Sequence, residues 1–265
     1  MSAPGACAPL PEVTISEARG IRYLHLDTPW IQGAMRIDEP LAIELDYVQR
    51  MMVWMLFRDE AEVTGGHAVQ LGLGAAAITR FCLQRLKMRT TAVELNPRVI
   101  ATCRQWFRLP PDSARLAVVE MDAAAYVADP RHEGSVDVLS VDLYDHEAAS
   151  PVLDSAAFYR DCHAVLGAGG IMTVNLFGRD ASFERSFARI AAAFGRASVR
   201  TLKPTREGNT IVVAMKHVTV PERPVLARRA ENIETRWKLP ARKWLRMMRP
   251  LPEAAPTLRT ELPPA

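Results

Sequence analysis

The chain has 265 residues, 49% of them apolar and 24% charged, with a net charge of +3. That size and balance fit one large α/β domain with short appendages. The longest early apolar run, Met51 to Phe57, is far too short to span a bilayer. The opening MSAPGACAPLPEV lacks the basic region and apolar core of a secretory signal. The cytoplasm is the expected setting, with no membrane partner. Cys7, Cys82, Cys103 and Cys162 form no CxxC pair, which reads as reduced thiols. The six histidines are scattered with no ligand spacing, so no metal is expected.

Residues 1 to 13 are rich in Pro and Ala and are expected to be disordered. Ile21–Leu26 and Trp30–Ile37 read as a small hairpin around the turn Asp27-Thr28-Pro29. Pro40 breaks it. Leu45 to Phe57 is helical, with Leu45, Val48, Met52, Met55 and Leu56 near one face. The hairpin and helix occupy residues 14–60.

A repeating βα pattern follows over residues 61–217. Strands are expected at Ala68–Leu71, Thr90–Glu94, Leu116–Met121, Val136–Val141 and Ile171–Leu176. Helices run to about Leu86, from Pro97 to Phe107, from Asp122 to Ala128, to about Leu166, and from Ser182 to Phe194. Asn96 is a plausible N-cap before Pro97. Gly167 and Gly169-Gly170 are expected to end the helix before the fifth strand. Ala197–Leu202 and Thr210–Met215 close the sheet as an antiparallel pair. The pattern predicts a doubly wound, mostly parallel, seven-stranded sheet of α/β class with a short N-terminal hairpin. Residues 218–265 form a Pro-rich, basic tail with ten basic and five acidic residues; the rest of the chain has 23 basic and 25 acidic. A tail packed through its apolar residues is favoured over one that binds nucleic acid. Ala241 to Met248 within it could dock as a helix.

One stretch organises the chain: HAVQLGLGAAAITRFCLQRLKMRTTAVE, His67 to Glu94. It reads strand, glycine turn, helix, strand, acid. Gly72 and Gly74 let backbone approach a ligand, and the next helix offers free N–H groups. An acid about 20 residues on, at the end of the second strand, is where such folds hold ribose hydroxyls. The turn lacks a third glycine, so it could merely join strand to helix. Three more acids end strands: Asp122 after the third, and Asp142 and Asp145 after the fourth. Asp122 also opens a helix and fits a cap. Asp142 and Asp145, in SVDLYDHEAASPVLD, could converge on a cation or a proton, or could be turn formers. His146 is a weaker candidate base.

Eight segments carry a resemblance: LHLDTPWIQGAMR, LDYVQRMM, QLGLGAAAI, AVELNP, VVEMDAAAYV, VDVLSVDLYD, FYRDCHAVLGAGGIMTVNLFG and GNTIVVAM. In order and spacing, Tyr23 to Lys216 resembles the spermidine synthase-like family, on the class I S-adenosylmethionine-dependent methyltransferase fold. The resemblance implies that Glu94 binds the ribose hydroxyls and Asp122 the adenine amino group. It places Gly72 and Gly74 against the amino-acid side of the nucleoside. Asp142 matches the catalytic acid and Asp145 the second acid of its loop. Gln32 and Tyr47 match positions bordering the amine pocket, and Tyr144 would help hold a cationic amine. The implied donor is decarboxylated S-adenosylmethionine, the acceptor an amine, and the assembly a homodimer.

The sequence departs from the family at four places, among them Gln49, where synthases often carry His or Glu, and a short N-terminal part. Family synthases usually carry Gly-Gly-Gly-Asp-Gly in the first turn, where this chain has GLGAAA. The missing acid would attract the donor's ammonium and repel the carboxylate of intact S-adenosylmethionine. The acidic loop reads DLYDHE in place of Asp-Ser-Thr-Asp-Pro. Aminopropyl transfer is the first reading. The alternatives are methyl transfer from intact S-adenosylmethionine and a nucleoside-binding homologue without catalysis.

Overall fold

The structure, a computed structural model, describes residues 10–143, 155–177 and 181–249, without the side chains of 181 and 182. Three antiparallel strands open it: β1 (Val13–Ala18), β2 (Ile21–Leu26) and β3 (Gly33–Arg36). The expected hairpin is therefore the second and third strands of a three-stranded sheet, with β2 at its centre. Strand β1 lay across the boundary of the segment expected to be disordered. Its signal is weak because only Val13 and Ile15 face the core, and both are only partly buried. The residues before it are tied down as well: the Asn96 amide donates to the Pro11 carbonyl at 2.9 Å, and the Glu12 N–H to Asp27 at 3.1 Å.

Helix α1 (Asp46–Met51) continues as a fully buried 3-10 turn, Met52–Leu56, and α2 (Glu60–Val63) follows. The βα series is then β4 (His67–Leu71), α3 (Ala77–Arg80), β5 (Arg89–Glu94), α4 (Pro97–Trp106), β6 (Leu116–Glu120), α5 (Ala123–Ala128), β7 (Val136–Val141), α6 (Ala156–Val165) and β8 (Leu166–Phe177). It closes with α7 (Ala181–Phe194), β9 (Val199–Leu202), β10 (Asn209–Met215), α8 (Arg223–Trp237), α9 (Ala241–Met247) and β11 (Met248–Arg249). The helix expected as far as Leu86 is one α-turn, α3, followed by a π-turn at Phe81–Arg85. The glycines expected to end a helix lie inside β8 instead. Helix α6 stops at Val165, β8 begins at once, and its register against β7 shifts between Val136 and Val138.

The large sheet has the order β11-β9-β10-β8-β7-β4-β5-β6. The segment from β8 to β6 is parallel, and β10, β9 and β11 add antiparallel pairings. The doubly wound α/β fold is as expected, with eight strands where seven were expected. The extra strand is the two-residue edge β11, too short to leave a pattern. Strand β4 is buried along its whole length. One core cluster, with Trp54 and Trp244, lies under α1, α8 and α9; a second, with Phe158 and Tyr159, joins the other sheet face to α5, α6 and α7.

The described part of the stretch expected to be a tail, residues 218–249, packs through its apolar residues into this core. Leu226, Ala230, Ile233, Leu239, Ala241 and Trp244 are all buried in it. Three of its basic residues make ion pairs within the fold: Arg229 with Asp59, Arg242 with Glu234, and Lys243 with Asp46 at 3.2 Å. Among the described residues no helix is long and apolar enough to cross a membrane.

Candidate active site

Strand order reverses at β4, with β5 and β6 to one side and β7 and β8 to the other. Ligands of open α/β sheets bind outside the carboxyl ends of the strands at such a point. A cleft of about 710 Å³ lies there, lined by Gly72, Gly74, Glu94, Asp122 and Asp142 among others. Five expected site residues thus converge although they span 70 positions of the chain. Gln32 and Tyr47 line the same cleft. Tyr144 and Asp145, with His146, lie outside the described residues.

The first turn is held from below. Gln70, buried in β4, donates from its amide to the Gly72 carbonyl at 2.7 Å and the Leu73 carbonyl at 3.2 Å. Its oxygen accepts from the Thr79 N–H at 3.0 Å and the Thr79 hydroxyl at 2.6 Å. Gly72 has φ +82, and a Cβ there would lie 2.0 Å from the Asp142 carbonyl oxygen. Glycine is therefore required where β4 and β7 deliver their loops side by side. Ala75, at the place of the family acid, is buried beneath β3: a Cβ on Gly33 would lie 2.5 Å from the Ala75 Cβ. Glycine at 33 and the small side chain of Ala75 thus let the N-terminal sheet seat on the turn.

Glu94 ends β5 with both oxygens engaged. One accepts from the Leu73 N–H at 2.9 Å and the other from the Asn96 N–H at 2.9 Å. Neither bond caps α4, whose N-cap is Asn96 as the sequence suggested; Glu94 instead ties the first turn to the residue that opens that helix. Burial pushes its carboxyl upward, opposed by these backbone donors. Each oxygen keeps a second lone pair for a ligand. Asn96 caps α4 as expected, accepting from Arg98 at 3.0 Å. Asp122 accepts from the Ala125 N–H at 2.9 Å as the N-cap of α5, and also lines the cleft.

Asp142 follows β7, walled by protein yet facing the cleft. The Asn175 amide donates to one oxygen at 2.9 Å and the Tyr47 hydroxyl to the other at 3.3 Å. Burial raises the carboxyl to about 6, against the pull of these two bonds. The network extends outward, for the Asn209 amide donates to the Asn175 oxygen at 3.1 Å. Strand β10 runs antiparallel to β8 and pairs Asn209 with Phe177, so its start lies at the same edge as the end of β8.

Asn175, Asn209 and Gln70 were not singled out as site residues. The available signal was one polar residue near the ligand-facing end of an otherwise apolar strand. Also lining the cleft are Asp46 and Glu207. No lysine, arginine or histidine among the described residues lines it. Trp30 and Ile31, 61% and 44% exposed, sit at its edge. The cleft combines apolar walls with carboxylates, the complement of a ligand that is part apolar and cationic.

A polyamine aminopropyltransferase of Neisseria meningitidis serogroup A is 36% identical over 207 residues, 78% of this chain and 76% of that protein. One of Chromobacterium violaceum is 33% identical over 232 residues, 87% of this chain and 86% of that protein. The chain belongs to the polyamine aminopropyltransferase family. As a member of that family it is a transferase. No protein-family model matches the chain. Solved structures share the fold. A probable spermidine synthase of Corynebacterium glutamicum superposes with a TM-score of 0.72 at 17% identity, covering 97% of this chain and 99% of that one. A spermidine synthase in complex with the transition state analogue AdoDATO gives 0.64 at 17% identity, covering 91% and 85%.

Proposed function

We propose that this aminopropyltransferase-family cleft binds decarboxylated S-adenosylmethionine across β4, β5 and β6, and an amine across β7, β8 and β10. The observation that carries the reading is a cleft whose charged lining groups, among the described residues, are all carboxylates, with Asp142 at the switch point. Both substrates are cations, and a cleft lined by one sign of charge concentrates them. Glu94 holds the ribose hydroxyls and Asp122 the adenine amino group, while Gly72 and Gly74 admit the nucleoside's side chain against backbone. Gln32 and Tyr47 border the amine; the roles of Tyr144 as an amine contact and Asp145 as a second acid rest on the family resemblance alone.

The donor's sulfonium supplies an activated carbon and a neutral thioether leaving group. The amine nitrogen forms its bond to the carbon next to sulfur as the carbon–sulfur bond breaks toward sulfur. Asp142 accepts the proton that the amine gives up. An alkyl ammonium ordinarily titrates near 10.4, so a carboxylate raised to about 6 is closer in proton affinity than an ordinary aspartate. Holding the two substrates in line supplies further acceleration. The homodimer and the cytoplasmic setting belong to the same reading and rest on the family likeness alone.

A second reading, methyl transfer from intact S-adenosylmethionine, draws support from Ala75, which offers no charge to reject the donor's carboxylate. The names of the relatives favour aminopropyl transfer. The test is turnover with each donor against a panel of mono-, di- and polyamines. Aminopropylated amine from the decarboxylated donor is expected. Methylated product from the intact donor, with no aminopropyl product, would replace the first reading with the second. Both donors are expected to bind within about tenfold of each other, near 1.4 kcal/mol.

A further inference from the structure

Five carboxylates line the cleft among the described residues, and four of them are already engaged. Asp46 pairs with Arg50 at 2.5 Å and with Lys243 at 3.2 Å. Glu94 accepts from two backbone N–H groups, Asp122 caps α5, and Asp142 is held by Asn175 and Tyr47. Glu207 is different: it is exposed, lines the cleft, and makes no hydrogen bond or ion pair. We propose that Glu207 receives the far ammonium of a diamine acceptor and so selects diamines over monoamines.

The placement supports this role. Glu207 lies in the turn between β9 and β10, and that turn is closed by hydrogen bonds. The Gly208 N–H donates to the Thr205 carbonyl at 3.3 Å, the Thr205 N–H to the Asn209 carbonyl at 2.8 Å, and the Asn209 N–H to the Thr205 hydroxyl at 3.1 Å. The same Asn209 is linked through Asn175 to Asp142. The turn is therefore registered to the carboxylate that receives the reacting nitrogen. In the sheet order β10-β8-β7, the start of β10 lies two strands from the end of β7, or about 10 Å. A short diamine with a hydrogen bond at each end spans that order of distance. The nucleoside acids, Glu94 and Asp122, lie on the opposite side of β4. An ammonium reaching Glu207 therefore belongs to the acceptor and not to the donor.

The inference rests on the proposed aminopropyl transfer, and two measurements keep the two apart. The first is steady-state kinetics of wild type and Glu207→Gln with 1,4-diaminobutane and with butylamine. The substitution is expected to raise the diamine KM about fivefold, the scale of a well-placed exposed ion pair, and to leave kcat, the donor KM and the butylamine KM within twofold. Glu207→Asp should restore part of the loss, and added salt should shrink the difference. Equal effects on diamine and monoamine overturn the assignment, as does a change confined to the donor KM. The second is calorimetric titration of 1,4-diaminobutane onto full-length protein loaded with the thioether nucleoside product. Equal affinities in wild type and variant, or no binding to wild type, overturn the inference whether or not turnover is seen. Glu207-dependent binding without transfer to any amine supports the diamine site and overturns the transferase chemistry proposed for it.

Discussion

On the β5–β6 side of the cleft the acids bond to backbone; on the β7–β10 side Asp142 bonds to side chains. Glu94 and Asp122 each accept from main-chain N–H groups within their own or the neighbouring turn. Asp142 is held by Tyr47, 95 positions earlier, and Asn175, 33 positions later. In the proposed reading, the first arrangement fixes acids that accept hydrogen bonds from the uncharged ribose and adenine of the donor. The second surrounds one buried carboxyl with neutral donors and leaves it able to take up a proton. Backbone contacts hold position. A neutral side-chain shell around a buried acid also shifts its proton affinity.

The largest expected effect sharpens that division. Asp142→Asn keeps size and a carbonyl oxygen for Asn175 but removes the base. Turnover should fall by about 10²–10⁴, with donor affinity within twofold in a titration of the same protein. The same substitution should raise stability. A carboxyl lifted from its unfolded value near 3.9 to about 6 holds more protons in the folded state between those values. Stability therefore falls as pH rises through that window, and the loss is complete above pH 6, at up to about 3 kcal/mol. Asparagine removes this cost, so the variant should melt several degrees higher at pH 7 and lose that component of pH dependence. A variant that fails to bind donor would show that the two sides of the cleft are not separate.

Glu94→Ala comes next. One charge-assisted hydrogen bond is worth roughly 1.5–3 kcal/mol, so donor affinity should weaken about 10- to 150-fold. The Leu73 and Asn96 N–H groups also lose their acceptor, and the variant should be less stable by about 1–3 kcal/mol. Diamine affinity should stay within twofold, because Asp142 and Glu207 remain. Calorimetry paired with a thermal melt reads both effects. Unchanged donor affinity in a folded variant would remove Glu94 from the nucleoside site.

The same contrast explains what could be read from sequence. Gly72, Gly74 and Glu94 fall within one strand-turn-helix-strand unit, so local spacing was enough to pair them. Asp142 was legible because it ends the most apolar strand. Asn175 and Asn209 were not, because their role depends on an antiparallel β10 bringing its first residue beside the end of β8. Spacing along the chain does not carry that pairing. The C-terminal segment was legible in part: packing through its apolar residues and a docked helix near Ala241 to Met248 were expected, and α8 was not. The segment's buried residues are diluted by Arg228, Arg236, Arg242 and Lys243, and α8 and α9 bury one narrow face against α1 and the 3-10 turn.

The smallest effect tests whether the side-chain shell sets the proton affinity of Asp142 or merely fills space. An N–H donated to a carboxylate favours its ionised form and lowers its pKa. Asn175→Ala removes that donor, so Asp142 should titrate higher than in wild type, where it lies at about 6. A neutral hydrogen bond worth about 0.5–1.5 kcal/mol corresponds to roughly half to one pH unit. The active form is the ionised base, so the acid limb of the kcat/KM profile should move to higher pH by that amount. Near pH 8 the rate should change little, while near pH 6 it should fall about threefold. A purely structural role for Asn175 would lower the rate equally at every pH. An acid limb that stays in place would show that Tyr47 and burial alone determine when Asp142 can accept a proton.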